Sequence, residues 1–534
     1  MNSLKVLDVT LRDGGCVNDF NFGQAYMTKI LAAQERAGID IIELGYLDEK
    51  KGSQSGRTQY INEQVITECL LTHKKPGIEY VAMMDYGKFT PSKLRPKTKD
   101  GIDGIRIAFH KEAARKVIEA GRQVILKGYK LYVQPMITLR YSDSELLELI
   151  SLVNRELPEL SGFYIVDSFG EMRPNDMNRV LNLVDHNLAP SITLGFHSHN
   201  NLQMSYSNAC AMLSFPTNRD IILDSSIMGM GKGAGNLNTE LLLEHLNMFY
   251  GKHYKIFPLL EVIDEVINQL HNEYYWGYAV EYYLSSVNHC TPSYARHFYS
   301  KHMLPIEQVG ELLGLVAEDK RISFDRDYAE ELYRTYNESR SVNDDSAVSE
   351  LGKLIAGKSV LLLAPGKSLG EASEEIKALM SRDDVAVIAL NVIYPGAEFL
   401  LATRADIFRR AVSEGLSVIV PSNLNAVSSP NVRVLNYGRW VEKDHEVHDS
   451  SFIIAANLVK AFGVVDVMLA GFDGFSADIN ENYLYPDMRR PLDSRQAKSR
   501  NEYYREFVRR LRDSGIRIEF LTPSAYDFTA SESI

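Results

Sequence analysis

Cysteine is scarce in this chain: four in 534 residues, Cys16, Cys69, Cys210 and Cys290, with no CxxC pair among them. A disulfide framework and a zinc ribbon are thereby excluded, and the four read as reduced thiols of a cytoplasmic protein. Basic residues do not dominate either. Lys plus Arg is 58 against 70 Asp plus Glu, a formal net charge of -12. That argues against nonspecific nucleic-acid binding, while leaving room for a local basic groove. Long apolar runs are missing too. The most apolar long stretch, Ser451 to Phe472, is interrupted by Lys460 and Asp466, so it predicts a buried helix followed by a strand and no membrane span. Met1 leads almost directly into a strand, which leaves no room for a signal peptide.

What is present suits large cores. Hydrophobic residues make up 45%, and the length fits two or three domains. Over the first 230 or so residues, short apolar runs alternate with helical segments. The strands expected are Lys5–Thr10, Ile39–Tyr46, Tyr80–Asp85, Gly104–His110, Lys130–Thr138, Gly162–Asp167, Thr193–His199 and Ile221–Ile227. Eight strands alternating with helices predict a (β/α)8 barrel, a TIM barrel, over residues 1–250. Polar residues collect at or near the C-terminal ends of these strands: Arg12 and Asp13, Glu43, Asp85, Arg106 and His110, Gln134, Asp167 and Ser168, His197 and His199, Asp224 and Ser226. Such barrels carry their active sites at that end. Glu43, Arg106 and Gln134 are accordingly expected to bind substrate.

Residues two apart on a strand share a face, so His197 and His199 should point the same way. Asp13 closely follows the first strand. Two imidazoles and a carboxylate make a facial set for a divalent metal, with positions left open for substrate. Arg12 would lie beside the metal, placed to hold an anion. The stretch Gly229-Met230-Gly231-Lys232-Gly233-Ala234-Gly235-Asn236 follows the eighth strand and opens no new βαβ unit. It reads as a loop that lets backbone approach the substrate, with Asn236 as an extra metal ligand, or else as a plain turn capping the barrel.

Residues 251–340 are helical in pattern and rich in aromatics, notably Tyr274-Tyr275-Trp276 and Tyr282-Tyr283, which suggest a packing surface between domains. His289 reads as structural. The polar segment Ser339 to Ser349 is expected to be a linker. A second α/β unit, residues 350–534, is expected to form a Rossmann-like open sheet from Ser359–Ala364, Val385–Asn391, Leu416–Pro421, Val432–Leu435, Val465–Ala470 and Ile516–Leu521. Ser368 and Glu371 have capping-box spacing for the helix after the first of these strands. Gly366-Lys367-Ser368 is no Walker A motif, because Leu361 stands where its first glycine belongs. A strand–turn–helix start can still take phosphate on helix amides. Gly366, Lys367, Ser368, Asn391 and Asp473 are therefore the candidate residues for a nucleotide or sugar phosphate.

Five motifs, in order over about 240 residues, resemble the DRE-TIM metallolyase superfamily. They are Thr10-Leu11-Arg12-Asp13-Gly14, Glu43-Leu44-Gly45, Asp167-Ser168-Phe169-Gly170, Gly195-Phe196-His197-Ser198-His199-Asn200, and the Gly229–Asn236 loop with Thr239-Glu240. The nearest branch is that of 4-hydroxy-2-oxovalerate aldolase. 3-Hydroxy-3-methylglutaryl-CoA lyase and isopropylmalate synthase belong to the same group. The resemblance implies Mn²⁺ or Mg²⁺ on Asp13, His197 and His199, enolate stabilisation by Arg12, and substrate contact by Ser168. Asn236 matches a ligand of the lyase and synthase branches. The aldolases of that branch carry a catalytic histidine shortly after the arginine-aspartate pair. This chain has Gly14-Gly15-Cys16-Val17-Asn18-Asp19 there, which leaves His110, Asp19 or a metal-bound water as the acid/base. The C-terminal part resembles bacterial sialyltransferases and 6-hydroxymethylpterin diphosphokinase-like proteins through the Pro365–Leu369 turn, Asn391 and Gly471-Phe472-Asp473-Gly474-Phe475.

The chemistry expected is aldol cleavage or formation between a 2-oxo acid such as pyruvate and an aldehyde, by a cytoplasmic homo-oligomer. Fusion to a nucleotide-type domain suggests, by analogy, carbohydrate or cell-surface polysaccharide metabolism. The alternatives are a Claisen-type acyltransferase on the same barrel, a non-catalytic barrel supporting a nucleotide-dependent transferase, and a 2-His-1-carboxylate Fe(II) oxygenase. The last usually occupies a different fold.

Overall fold

The computed structural model describes residues 3–51, 54–71, 73–301, 304–371, 373–424, 429–441, 450–488, 492 and 494–527. The chain forms two compact units, Met1–Pro292 and Ser293–Ile534.

In the first unit eight parallel strands close on themselves: β1 (Leu4–Asp8), β2 (Ile41–Leu47), β3 (Glu79–Asp85), β4 (Gly104–Phe109), β5 (Lys130–Pro135), β6 (Gly162–Asp167), β7 (Thr193–Ser198) and β8 (Ile221–Ser225). Each pairs with its neighbour, and β1 pairs with both β2 and β8, which closes the TIM barrel. The eight expected strands are these, with ends shifted by at most three residues. Helices α1 (Gln24–Ala37), α2 (Glu63–Leu70), α3 (Ala114–Leu126), α4 (Asp143–Glu156), α5 (Pro174–Asn187), α6 (Ser205–Ser214) and α7 (Thr239–Tyr250) follow the strands. No α-helix follows β3. A loop with one 3-10 turn, Pro91–Lys93, crosses there instead, in a segment where Pro91, Pro96, Gly87 and Gly101 disfavour a helix.

Strand alternation divides the core in two. Val6, Ile42, Ile105, Ile107, Leu194 and Phe196 face the helices. Leu7, Val9, Ile41, Val81, Tyr132, Tyr164, Val166 and Ile222 fill the barrel interior. The same period carries Glu43, Arg106, Gln134, His197 and Asp224 inward. Gly195 also faces in, where an added Cβ would lie 2.4 Å from the Tyr164 ring. The missing side chain lets that ring cross the barrel. Near its end β2 carries a register shift between Glu43 and Tyr46, the mark of a bulge.

The helical stretch 251–340 is divided between the two units. Trp276 is buried within the first, and its indole donates to the Met228 carbonyl at 3.0 Å, beside the glycine-rich loop. His289 Nδ1 lies 2.6 Å from Glu171 Oε2.

The second unit holds an open, all-parallel sheet of seven strands: β9 (Ser359–Leu363), β10 (Val385–Leu390), β11 (Phe399–Leu401), β12 (Val418–Pro421), β13 (Val432–Leu435), β14 (Asp466–Ala470) and β15 (Arg517–Phe520). Their order is β13-β12-β11-β10-β9-β14-β15. Six of these match expected strands. The seventh, β11, has three residues and is too short to show a period. Ser451–Phe472 resolves as expected into a helix, Ser451–Ala461, and β14. No helix among the described residues is long and apolar enough to cross a membrane.

Two local expectations fail. Ser339 to Ser349 is not a free linker, because a helix runs from Asp345 to Ile355. Asp344, only 4% exposed, accepts from Asn436 N at 2.8 Å, Arg439 Nη1 at 2.6 Å and Trp440 Nε1 at 2.7 Å. A buried carboxylate finds partners far along the chain, which a local polar pattern cannot reveal. Nor does Ser368 form a capping box. Its hydroxyl donates to Asp473, and the next helix starts at Ser373.

Candidate metal centre and active site

The turn after β1 sets Arg12 and Asp13 over the end of the barrel: the amides of both donate to the Val9 carbonyl, at 3.0 and 2.8 Å. His197 lies near the end of β7, and His199 just beyond it in a backbone bridge to Asn236. Asp13, His197 and His199 are all buried, with one potential ligand atom of each within 4.8 Å of the others.

Hydrogen bonds fix the imidazoles. His197 Nδ1 lies 3.0 Å from Asp224 Oδ2, and His199 Nδ1 lies 3.1 Å from the Lys232 carbonyl. Both partners accept, so each Nδ1 carries a proton and Nε2 is the ring nitrogen left for a metal, the arrangement metal-binding histidines use. Burial, opposed by Asp13, lowers His199 to about 4, so it is neutral at pH 7. Burial alone would raise Asp13, but Arg12 and the two histidines hold it well below the usual carboxylate range. An anionic oxygen and neutral ring nitrogens form a donor set suited to a divalent cation.

Among the buried polar atoms without a hydrogen-bond partner are one of Arg12 and one of Asn236. Arg12 donates from Nε to Glu43 at 2.6 Å and from Nη1 to Asp13 at 2.6 Å, while Nη2 bonds to nothing. Asn236 donates from Nδ2 to Asp13 Oδ2 at 2.8 Å, while its Oδ1 is unmatched. Unpaired buried polar atoms are costly and invite a ligand. Here one is cationic and the other a neutral oxygen donor. The glycine-rich loop leaves no slack above them. A Cβ on Gly231 would lie 2.3 Å from Asn236 Nδ2 and 2.7 Å from Asp13 Oδ2.

Glu43, Arg106 and Gln134 lie beneath this site rather than in its opening. Glu43 and Arg106 are 0% exposed. Arg106 donates to Glu43 at 2.9 Å and to Asp224, and its Nε lies 2.7 Å from the Gln134 amide oxygen in the amide orientation that satisfies both groups. Its guanidinium lies 4.8 Å from the centre of the Tyr164 ring. Burial raises Asp224, but Arg106 and His197 together outweigh it and hold the carboxylate below its usual range. Sequence reasoning placed Asp224 at a strand end without a role; as the acceptor for His197 Nδ1 it has one. The inward period of β8 marks it as interior, but its partner lies on another strand.

Half-buried Ser168 accepts from Ile137 N at 3.1 Å. Asp167 caps the turn beyond β6 through the amides of Glu171 and Met172, and burial raises it to about 7. His110 is exposed at the end of β4, and Asp19 is exposed and bound to Arg57 at 2.8 Å. Neither is hydrogen-bonded to Arg12 or Asp13. Cys16 is exposed.

In the second unit Gly366, Ser368 and Asp473 come together. Asp473 accepts from the Ser368 amide at 2.8 Å and from its hydroxyl. The amide expected to meet phosphate is thus already satisfied by a carboxylate. Lys367 pairs with Glu481 at 2.8 Å, and Asn391 bonds to Thr403.

Residues 92–256 match the family model described as HMGL-like. The chain is 26% identical over 365 residues to 4-hydroxy-2-oxovalerate aldolase of Pseudoalteromonas translucida, covering 66% of this chain and 96% of that protein. It is 28% identical over 246 residues to 4-hydroxy-2-oxovalerate aldolase 2 of Comamonas testosteroni, covering 45% and 67%. Among solved structures it is similar to the HMG-CoA lyase of Brucella melitensis, with 14% identity, 51% and 99% coverage and a TM-score of 0.40.

Proposed function

We propose that the first unit is a divalent-metal-dependent carbon–carbon lyase of the aldolase kind, acting on a 2-oxo acid through a pyruvate-type enolate, with an aldehyde as the other partner. The observation that carries this reading is the convergence of Asp13, His197 and His199 beside two unpaired atoms, Arg12 Nη2 and Asn236 Oδ1. The aldolases to which the chain is similar support the same reading.

Asp13, His197 and His199 would hold the metal, with Asn236 Oδ1 as a further ligand. Mn²⁺ or Mg²⁺ bound there would act as a Lewis acid on the carboxylate and keto oxygens of the 2-oxo acid. Arg12 Nη2 supplies a preorganised positive charge where the enolate oxygen becomes negative. Glu43 keeps that guanidinium aimed by holding Nε. The walls of the site are buried side chains, so its charges act in a medium less screening than water.

The test is direct. The chain is stripped with a chelator, reloaded with Mn²⁺ or Mg²⁺, and offered 4-hydroxy-2-oxo acids of different length. Release of pyruvate is followed by coupling to lactate dehydrogenase. Metal-dependent release is expected, and a chain that binds neither metal and releases no 2-oxo acid refutes the reading.

The all-parallel order of the second sheet supports a Rossmann-like reading of that unit. A phosphorylated ligand at Gly366–Ser368 would require Asp473 to leave the Ser368 amide.

A further inference from the structure

One buried cation reaches both functional arms of the site. Arg12 is held at Nε by Glu43 Oε2, 2.6 Å away, and the other oxygen of that carboxylate accepts from Arg106 Nη1 at 2.9 Å. The opposite prong, Arg106 Nη2, donates to Asp224 Oδ2, the same oxygen that lies 3.0 Å from His197 Nδ1. The chain Arg12–Glu43–Arg106–Asp224–His197 is therefore continuous, and it crosses the barrel interior from β2 through β4 to β8. Tyr164 closes one side of the guanidinium, in the space that Gly195 leaves open. Gln134 occupies its Nε. A guanidinium suits this position because its donors form a rigid planar fork, whereas an ammonium is a point charge on a flexible stem.

We infer that Arg106 is the shared positioning residue of the site: one fork sets the aim of Arg12 through Glu43 and the tautomer of His197 through Asp224. The two arms carry different work. Asp224 acts on metal affinity, because it keeps the proton on His197 Nδ1 and the lone pair on Nε2. Glu43 acts on turnover, because it directs Arg12. Arg106 touches neither metal nor substrate and governs both. The turnover half rests on the whole function proposed above, and the affinity half on its metal site alone.

The experiment compares three full-length variants, each with two readouts. Mn²⁺ affinity is measured by titrating the free ion's paramagnetic signal, and kcat is measured at saturating Mn²⁺. Loss of a group that orients a metal ligand typically costs about 10–100-fold in affinity or activity. Asp224→Asn should weaken Mn²⁺ binding by about that factor with a smaller effect on kcat. Glu43→Gln should lower kcat with a smaller effect on Mn²⁺ affinity. Arg106→Lys keeps the charge and loses the fork, and it should impair both. If Arg106→Lys does not fold, the Glu43→Gln, Asp224→Asn double-mutant cycle decides. These two residues are joined through Arg106, so their effects on Mn²⁺ affinity should be non-additive. Arg106→Lys that lowers only the melting temperature, or a cycle that is strictly additive, overturns the inference. A wild-type chain that binds Mn²⁺ but cleaves no 2-oxo acid sinks the proposed function instead, and the affinity readouts still decide the role of Arg106.

Discussion

Replacing Gly231 with alanine tests the tightness of the site without replacing any group assigned to chemistry. The added carbon would lie 2.3 Å from Asn236 Nδ2 and 2.7 Å from Asp13 Oδ2. Both approaches are too close for real atoms, so something must move. The Asn236 amide is the movable part, but it donates to Asp13 at 2.8 Å and to the Met230 carbonyl at 3.1 Å. Turning it away loses a hydrogen bond to a charged group, about 1.5–3 kcal/mol, and withdraws Oδ1 from the metal position. Shifting the loop instead costs about 1–3 kcal/mol of overpacking strain and drags the Lys232 carbonyl off His199 Nδ1. Either route corresponds to a loss of roughly 10–100-fold in Mn²⁺ affinity, at about 1.4 kcal/mol per factor of ten. The assay is an Mn²⁺ titration of Gly231→Ala beside Gly438→Ala, where a Cβ has nothing within 4 Å. The control should bind as wild type. Wild-type affinity in Gly231→Ala would show that the loop is looser than described and that Asn236 is not held over the site.

Arg12→Ala should reduce kcat by about 10²–10³ or more, since it removes the charge facing the enolate. It should weaken Mn²⁺ binding far less, and full activity in this variant would refute the enolate role. Asp344→Ala should destabilise the second unit by about 3–5 kcal/mol, because Trp440, Asn436 and Arg439 lose a buried acceptor; thermal unfolding of the full chain reads this out. His297 and Lys301, working against burial, lower Glu330 to about 2. Its stabilisation is therefore present above the unfolded carboxylate range near pH 4 and is lost as pH falls toward 2. Glu330→Gln should cost about 1–2 kcal/mol at pH 7, allowing for partial exposure, and only a small fraction of that at pH 2, as denaturant titrations at the two pH values would show. Nucleotides and sugar phosphates should leave the melting temperature of the wild-type chain unchanged, because Asp473 already holds the Ser368 amide. A shift that Lys367→Ala abolishes would restore the phosphate reading.

The amino-acid sequence by itself determines the barrel. Apolar runs of strand length alternate with helical segments, and side chains alternate across each strand, so the inward set follows from counting in twos. The same count brings His197 and His199 to one face and puts Arg12 and Asp13 beyond a strand end, where a barrel collects its reactive groups. These signals are local and survive without knowledge of partners. Their limit shows at β11, which is too short to have a period, and beyond β3, where a helix was expected and a loop runs.

What only the tertiary structure decides is which buried charge meets which. Glu43, Arg106 and Asp224 look alike in sequence, as polar residues at strand ends, yet their partners stand 31, 63 and 118 positions apart along the chain. No pattern of period two or 3.6 encodes such a pairing. Closure of the barrel creates it, by bringing β2, β4 and β8 around one water-poor interior where an unpaired charge is untenable. The same reason explains Asp473, which reads as a ligand group in a turn and becomes the partner of Ser368 once the sheet sets the two loops side by side. A sequence names the ionisable groups; burial decides which of them must satisfy one another and which are left free to meet a ligand.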